Sequence, residues 1–361
     1  MKILVINGSP RKEKSNTLRV TRAFLEGMEW EEKCDIEILH AIDLNVKFCK
    51  GCYSCWTYTP GRCVIKDDME EVMEKYLAAD VVIFSTPVHT FGVSAPLKTV
   101  MDRLIPVSLP IIEERKIENK VTVIHPSRYD VAHQRYILIA TCGFYSYENN
   151  VEPIEKQFEI MYGDALTRII CPEGELFSIP QLNYRLRKYL DTAKRAGKEF
   201  AKTKHVSEKT MDKLRVKHYD PESFTTLANC NWQVREENMT DEEFLHARAK
   251  NYVTQMAIIY ESDFLSVPKV IMEMVFTDSN YHCQMVMTKE GCEVVEDPER
   301  FERYTLKVIC KLNAWIKLSR DKVTVAGGAM GTALEQSSEY KVITEWMSAL
   351  EKKGQQKILR L

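Results

Sequence analysis

Apolar positions along this chain follow two rhythms. In the first half, short unbroken apolar runs alternate with helical stripes. "KILVIN" (2–7) is an apolar run stopped by Gly8, which predicts a buried strand. "TLRVTRAFLEGME" (17–29) follows, with Leu18, Thr21, Arg22 and Leu25 at helical spacing and Val20, Ala23 and Phe24 widening the apolar face. The succession repeats. "DIEILHAID" predicts a strand, and "DDMEEVMEKYLAA" a helix whose acidic first turn suits the positive end of its dipole. "DVVIFSTPV", "YILIATCGF" and "TRIICPEGEL" predict further strands, each followed by a helical pattern, the last being "NYRLRKYLDTAKRAGKEFAKT". Strands alternating with helices predict an α/β domain over residues 1–205, a doubly wound parallel five-stranded sheet covered on both faces.

The rhythm then changes. Residues 206–238 are charged, have no clean period, and read as a connector. "TDEEFLHARAKNYVTQMAIIYES" opens with a capping box, Thr240 to Glu243, and carries an apolar stripe of Leu245, Ala249, Tyr252, Met256 and Ile259 that predicts core. "KVIMEMVFTD", "YHCQMVMTKEGCEVVED" and "TLKVICKL" alternate in and out, with turns at Asp278-Ser279-Asn280 and Lys289-Glu290-Gly291, and predict antiparallel strands. "NAWIKLSRD" and "SEYKVITEWMSALEKK" predict helices. Residues 239–361 are therefore expected to form a smaller α+β domain.

A length of 361 residues suits two such domains. The net charge of −2 argues against a general nucleic-acid binder. No apolar run approaches a bilayer span, and "MKILVINGSP" is too short and too β-like for a signal peptide. The expectation is a cytoplasmic protein whose eleven cysteines are thiols or metal ligands.

The loop from Gly8 to Thr17 leaves the carboxyl end of the first strand and enters a helix, where amides lack intrahelical partners and carry partial positive charge. Ser9, Arg11, Ser15, Asn16 and Thr17 add donors, a combination that fits a terminal phosphate dianion. No Gly-Lys-Ser/Thr closes the loop, so it is not a Walker motif. An ordinary Ser/Asn cap on a surface helix remains the plain alternative. Two later strand ends, "STPVHTFGVSAPLK" (85–98) and "TCGFYSYE" (141–148), offer an apolar, aromatic loop and a second wall for a flat ring.

"GSPR…SNT", "STPVHTFGVSAPLKTVMDR" and the order of elements resemble the flavodoxin-like NAD(P)H-dependent FMN reductases over roughly residues 1–205. The resemblance implies a flavodoxin-like fold and FMN, with Ser9, Arg11, Ser15, Asn16 and Thr17 around its phosphate. It implies that Pro87, Val88, His89, Thr90, Phe91 and Gly92, with Thr141, Cys142 and Gly143, lie along the isoalloxazine. His89 stands where many relatives carry Tyr or another residue, and reads as a loop histidine with no proton-transfer duty. NAD(P)H would be a substrate, and the family commonly shares flavin sites between subunits, so a homo-oligomer is expected. The electron acceptor would be a small molecule (a quinone, flavin, nitro or azo compound) or a redox protein.

Cys49, Cys52, Cys55 and Cys63 stand within fifteen positions, in "CKGCYSCWTYTPGRC". Thiolates bind iron–sulfur clusters or zinc. The spacing resembles the compact motif of iron–sulfur flavoproteins, a branch of the same family with a [4Fe–4S] cluster. A similar segment in FMN-only reductases leaves free or redox-active thiols open, and zinc or a disulfide is a third reading. The balance leans narrowly to FMN as the only obligatory cofactor. Trp56 and Tyr58 are expected over the flavin or at a subunit interface. The second domain weakly resembles the sterol-carrier-protein type up to Lys322, after which "VTVAGGAMGTALEQ" departs from it. Three functions follow: an FMN-dependent oxidoreductase, an electron carrier with FMN and a cluster, and an apolar-ligand binder with a regulatory flavin domain. No catalytic side chain is assigned.

Overall fold

The computed structural model of the chain describes residues 1–117, 120–179, 182–320 and 339–360. They form two compact units, Met1–Ser178 with Leu186–His218, and Ile179–Arg185 with Tyr219–Leu361.

In the first unit the chain runs β1 (Lys2–Asn7), α1 (Asn16–Glu29), β2 (Asp35–His40), α2 (Ser54–Thr57), α3 (Met69–Ala78), β3 (Val81–Pro87) and α4 (Ala95–Asp102). It continues through β4 (Glu113–Ile117), β5 (Lys120–Ile124), β6 (Arg135–Thr141), α5 (Glu152–Tyr162), β7 (Leu166–Cys171), α6 (Asn183–Thr203) and α7 (Glu208–Leu214). Five strands make one sheet in the order β2-β1-β3-β6-β7, every pair parallel. With β4 and β5 set aside this is the 2-1-3-4-5 order of flavodoxin-like doubly wound folds, whose switch point lies between the first and third strands. The expected fold is the observed one.

Burial explains the unbroken apolar strands. Ile3 to Asn7 and Val81 to Thr86 are buried on both faces. On one face Leu4, Ile6, Val82, Phe84 and Leu138 meet side chains of α3, α4 and α5, including Val72, Leu97 and Phe158. On the other, α1 lies against α6, with the rings of Phe24 and Phe200 5.8 Å apart. The two helices touch through glycine: a Cβ on Gly27 would come within 1.8 Å of the Lys194 carbonyl oxygen, and one on Gly197 within 1.8 Å of that of Phe24. Only a missing side chain allows that approach.

The antiparallel hairpin β4–β5 is absent from the sequence reading. Its strands, "EERKI" and "KVTVI", carry charge or alternate, and Val121 and Val123 are exposed, so no apolar run announces it.

The stretch 206–238, read as a connector, holds α7 and α8 (Pro221–Asn231). Ser207 caps α7 by accepting from Thr210 N–H, and Asp220 caps α8 by accepting from Glu222 and Ser223 N–H. The second unit then has α9 (Asp241–Ile258), β8 (Lys269–Phe276), β9 (Tyr281–Thr288), β10 (Cys292–Val295) and β11 (Leu306–Cys310). It ends with α10 (Leu312–Arg320), α11 (Glu339–Lys352) and β12 (Lys357–Arg360). The capping box of Thr240 and Glu243 is formed, and Ala249, Tyr252 and Met256 of the stripe are buried. The sheet order is β10-β9-β8-β11-β12.

One expectation is corrected here. β8, β9 and β10 are antiparallel, but β11 pairs parallel with β8, and β12 parallel with β11. Period-2 alternation reports which face is buried, not strand direction, and reads the same in both arrangements. The stretch after Lys322 where the sterol-carrier resemblance departs, 323–336, lies outside the described residues.

Candidate functional site

The carboxyl ends of β1, β3, β6 and β7 present four loops at one edge of the sheet, beside the switch point. The loop after β1 is held tightly. Gly8 N–H donates to the Ser85 carbonyl at 2.8 Å, and the Ser94 hydroxyl donates to the Gly8 carbonyl at 2.6 Å. A Cβ at Gly8 would lie 2.6 Å from Ser94 Oγ and 2.7 Å from Leu97 Cβ, so the position requires glycine.

The residues expected around a phosphate divide into two groups. Ser15, Asn16 and Thr17 are buried and build the loop. Ser15 Oγ caps α1 by accepting from Leu18 N–H at 3.2 Å. Asn16 Nδ2 donates to the Gly174 carbonyl at 2.9 Å and to Ser178 Oγ at 3.0 Å. Thr17 and Thr141 share a hydroxyl hydrogen bond of 2.6 Å, tying α1 to the end of β6. Ser9 is buried and accepts from Arg11 N–H at 3.3 Å. The donors left to meet a ligand are the start of α1, where the first-turn amides of Asn16 and Thr17 have no carbonyl a turn behind them, together with the half-exposed Arg11 guanidinium.

That guanidinium lies 3.4 Å from a Glu175 oxygen. Glu175 belongs to the loop after β7: the strand expected over "TRIICPEGEL" ends at Cys171, and Gly174–Ser178 form a short 3-10 turn, so the sequence pattern puts Glu175 in a strand and not at the site. Gly174, Glu175 and Ser178 close one side of the site. The partners are 164 positions apart, and no local pattern links them.

The loops after β3 and β6 supply flat walls. Val88 N–H donates to the Thr141 carbonyl at 2.9 Å, so Pro87 and Val88 run beside Thr141 and the buried Cys142. His89 and Gly92 exchange both backbone hydrogen bonds at 3.0 Å around a two-residue turn. Thr90 (φ 48°) and Phe91 (φ 62°) make that turn in the left-handed region without glycine, a strain of the kind concentrated at working sites. The turn holds Phe91 46% exposed, and its ring faces Phe144, 51% exposed, at 6.3 Å with 19° between planes. Gly143 lies between β6 and Phe144. The edge thus brings together the phosphate and ring residues read from the sequence, with Phe144 added.

Cys49, Cys52, Cys55 and Cys63 line one concavity, with Arg103, Ile105 and Pro106 on its far wall. Left-handed residues at Gly51 (φ 63°), Tyr53 (φ 52°) and Gly61 (φ 80°) fold the segment back on itself. Burial raises the Cys55 thiol pKa, and the neighbouring sulfurs of Cys63, Cys52 and Cys49 raise it further. At exposed Cys52 the Ser54 hydroxyl and amide pull the pKa down. All eleven cysteines are free. Among the described residues no three His, Cys, Asp or Glu side chains are arranged around a single ion. A lone tetrahedral metal needs sulfurs about 4 Å apart, from metal–sulfur bonds of about 2.3 Å, whereas a cubane accepts a wider ring. The all-thiolate donor set fits the cubane. Trp56 donates from Nε1 to the Ile105 carbonyl at 3.1 Å and packs on Tyr53 and His125, while Tyr58 is 88% exposed.

An iron-sulfur flavoprotein of Methanocaldococcus jannaschii is 37% identical over 123 residues, 34% of this chain and 62% of that protein. One from Archaeoglobus fulgidus is 38% identical over 103 residues, 28% of this chain and 48% of its own length. One from Methanosarcina thermophila is 37% identical over 105 residues, 29% of this chain and 53% of its own. The matches thus span about half of the curated relatives' length. The sequence model of the NADPH-dependent FMN reductase family matches residues 1–141, the part of the chain that carries β1, α1 and the switch-point loops.

Proposed function

We propose that this chain is an NAD(P)H-dependent FMN oxidoreductase whose four-cysteine segment holds a [4Fe–4S] cluster. The supporting observation is that one folded unit combines an anion-facing helix start at the switch point of a flavodoxin-like sheet with a concavity walled by four cysteines. The relatives' description as iron-sulfur flavoproteins favours the cluster over free thiols. Bound there, FMN supplies two-electron acceptance from a nicotinamide, and a cluster supplies one-electron transfer. Arg11 and the amides of Asn16 and Thr17 hold the phosphate. Phe91, on its strained turn, and Phe144 flank the ring, and Pro87, Val88 and Thr141 fix its edge. No side chain is asked to move a proton. The acceptor is a small molecule such as a quinone, flavin or nitro compound, or a redox protein. The enzyme works in the cytoplasm as a homo-oligomer; among the described residues no helix is long and apolar enough to cross a membrane.

Protein purified without oxygen should show flavin absorption bands with a broad shoulder that dithionite bleaches. It should contain iron and acid-labile sulfide. Cys52→Ser should lose the iron and keep FMN, because the phosphate contacts lie elsewhere in the chain. Flavin bands alone, with negligible iron after anaerobic reconstitution, would return the cysteines to free thiols. A colourless protein that takes up no FMN would sink the whole reading.

A further inference from the structure

Arg103 is the largest charged side chain buried among the described residues, only 1% exposed, and it stands at the wall of the cysteine concavity. A guanidinium buried at that cost must be paired. Asp67 pairs with it through two hydrogen bonds, from Nη1 at 2.7 Å and Nη2 at 3.0 Å, and Nη1 also donates to the Lys47 carbonyl at 2.7 Å. The Asp67 carboxylate accepts in addition from Lys47 N–H at 2.9 Å and Met69 N–H at 3.2 Å. The guanidinium is therefore fixed in place from one side. On the other side, Nε is buried and has no hydrogen-bond partner. A donor left unmet in the interior is costly, and a fork clamped at both Nη atoms cannot turn to relieve it. Cys63 lines the same concavity.

We propose that Arg103, clamped by Asp67, is a positioning residue for the cluster: it presents an N–H and a fixed positive charge to the Cys63 side and raises the cluster's reduction potential. This rests on the cysteines holding a cluster. Reduction adds one electron to the cluster, and no bond is made or broken. A nearby positive charge and hydrogen bonds to sulfur favour the reduced, more negative state. A guanidinium does not lose its proton in a protein, and Asp67 holds this one in a bidentate pair, so the charge is permanent.

Asp67 and Arg103 form a neutral pair, and that allows a test with opposite signs. Arg103→Gln removes the positive charge and leaves a carboxylate beside the cluster, so the potential should fall. Asp67→Asn leaves the positive charge uncompensated, so it should rise. Each change should alter the reduced-to-oxidised ratio at fixed potential at least tenfold, which is about 59 mV for a one-electron couple. Both variants break the same buried pair, so general loosening would move them in the same direction. The measurement is a dithionite titration followed by the cluster's electron paramagnetic resonance signal, on full-length protein matched for iron and FMN content. Shifts of opposite sign support the proposal. Unchanged potentials, or two shifts of the same sign, overturn it. Wild-type protein without iron or sulfide overturns the reading it rests on instead, a result the titration cannot mimic. If either variant fails to accumulate, Arg103→Lys keeps the charge and loses the fork; it should retain most of the potential while lowering iron retention against a chelator, and a fall as large as that expected of Arg103→Gln would overturn the proposal.

Discussion

At the scale of residues, Arg11 has two competitors for its charge, the Glu175 carboxylate 3.4 Å away and the phosphate proposed for the same loop. Both groups of the ion pair are about half exposed, so the pair itself contributes little, about 0–1 kcal/mol. A phosphate dianion is a stronger partner, and charge-assisted bonds of this kind contribute about 1.5–3 kcal/mol. Arg11→Ala should therefore weaken FMN binding by roughly 10- to 100-fold and leave riboflavin nearly untouched. Glu175→Gln should act the other way, tightening FMN by about 3- to 5-fold, because it removes the competitor and a like charge facing the phosphate. Titration calorimetry on both ligands reads these effects; equal losses for FMN and riboflavin would remove Arg11 from the phosphate site. Ser15 separates from Arg11 in this respect. Its hydroxyl caps α1, so Ser15→Ala should cost about 1 kcal/mol of stability in urea unfolding. The sequence placed all of these side chains at one junction but could not say which face the ligand and which hold the loop, since that depends on Gly174, Glu175 and Ser178, more than 150 positions later.

At the scale of elements, the parallel strands were the most legible part of the chain. Strands buried on both faces carry near-continuous apolar runs, and residues 3–6 of β1, 81–84 of β3 and 136–140 of β6 are such runs. The hairpin β4–β5 was invisible because it buries little, and the direction of β11 because alternation is blind to direction. Glycines within helices carry a meaning the sequence also hides. On propensity alone Gly197→Ala should stabilise α6 by up to about 1 kcal/mol. The structure reverses that sign. The new methyl would meet the Phe24 carbonyl oxygen at 1.8 Å, a backbone atom that cannot rotate away. Separating two packed helices costs more than the propensity returns, about 1–3 kcal/mol or above for overpacking. The variant should unfold at lower temperature than the wild type; an unchanged or raised midpoint would mean that α1 and α6 do not touch here.

At the scale of the whole molecule, two hydrophobic cores imply two separable stabilities. The second core gathers Met272, Met274, Met285, Trp315 and Val253. Behind its sheet, Glu273 accepts from Lys307 Nζ at 2.6 Å and Gln284 Nε2 at 3.0 Å, with His282 Nε2 at 3.1 Å. Burial pushes its carboxyl pKa up, but Lys307, Gln284 and His282 outweigh that and hold it below the ordinary value. A carboxyl with a depressed folded pKa adds stability above its unfolded value, near about 4.3, and loses it as pH falls through the folded one. The second unit should weaken below about pH 4, and Glu273→Gln should flatten that dependence. The first unit is expected to stand alone as residues 1–218. Its core and every residue proposed to touch FMN or a cluster lie within that span. The cut belongs after His218 rather than at the end of α6, because Val206 and Leu214 are buried and Glu199 ties α7 down, accepting from Thr210 Oγ1 at 2.7 Å and Ser207 N–H at 2.8 Å. His218 N–H in turn donates to Glu173 at 2.5 Å, beside the loop that carries Glu175. A shorter fragment would uncover apolar surface and release that loop. The 1–218 fragment should be soluble, yellow and able to rebind FMN with the affinity of the full chain, read by flavin fluorescence. A soluble fragment that stays colourless with added FMN would place part of the flavin site in the second unit or in a second copy of the chain.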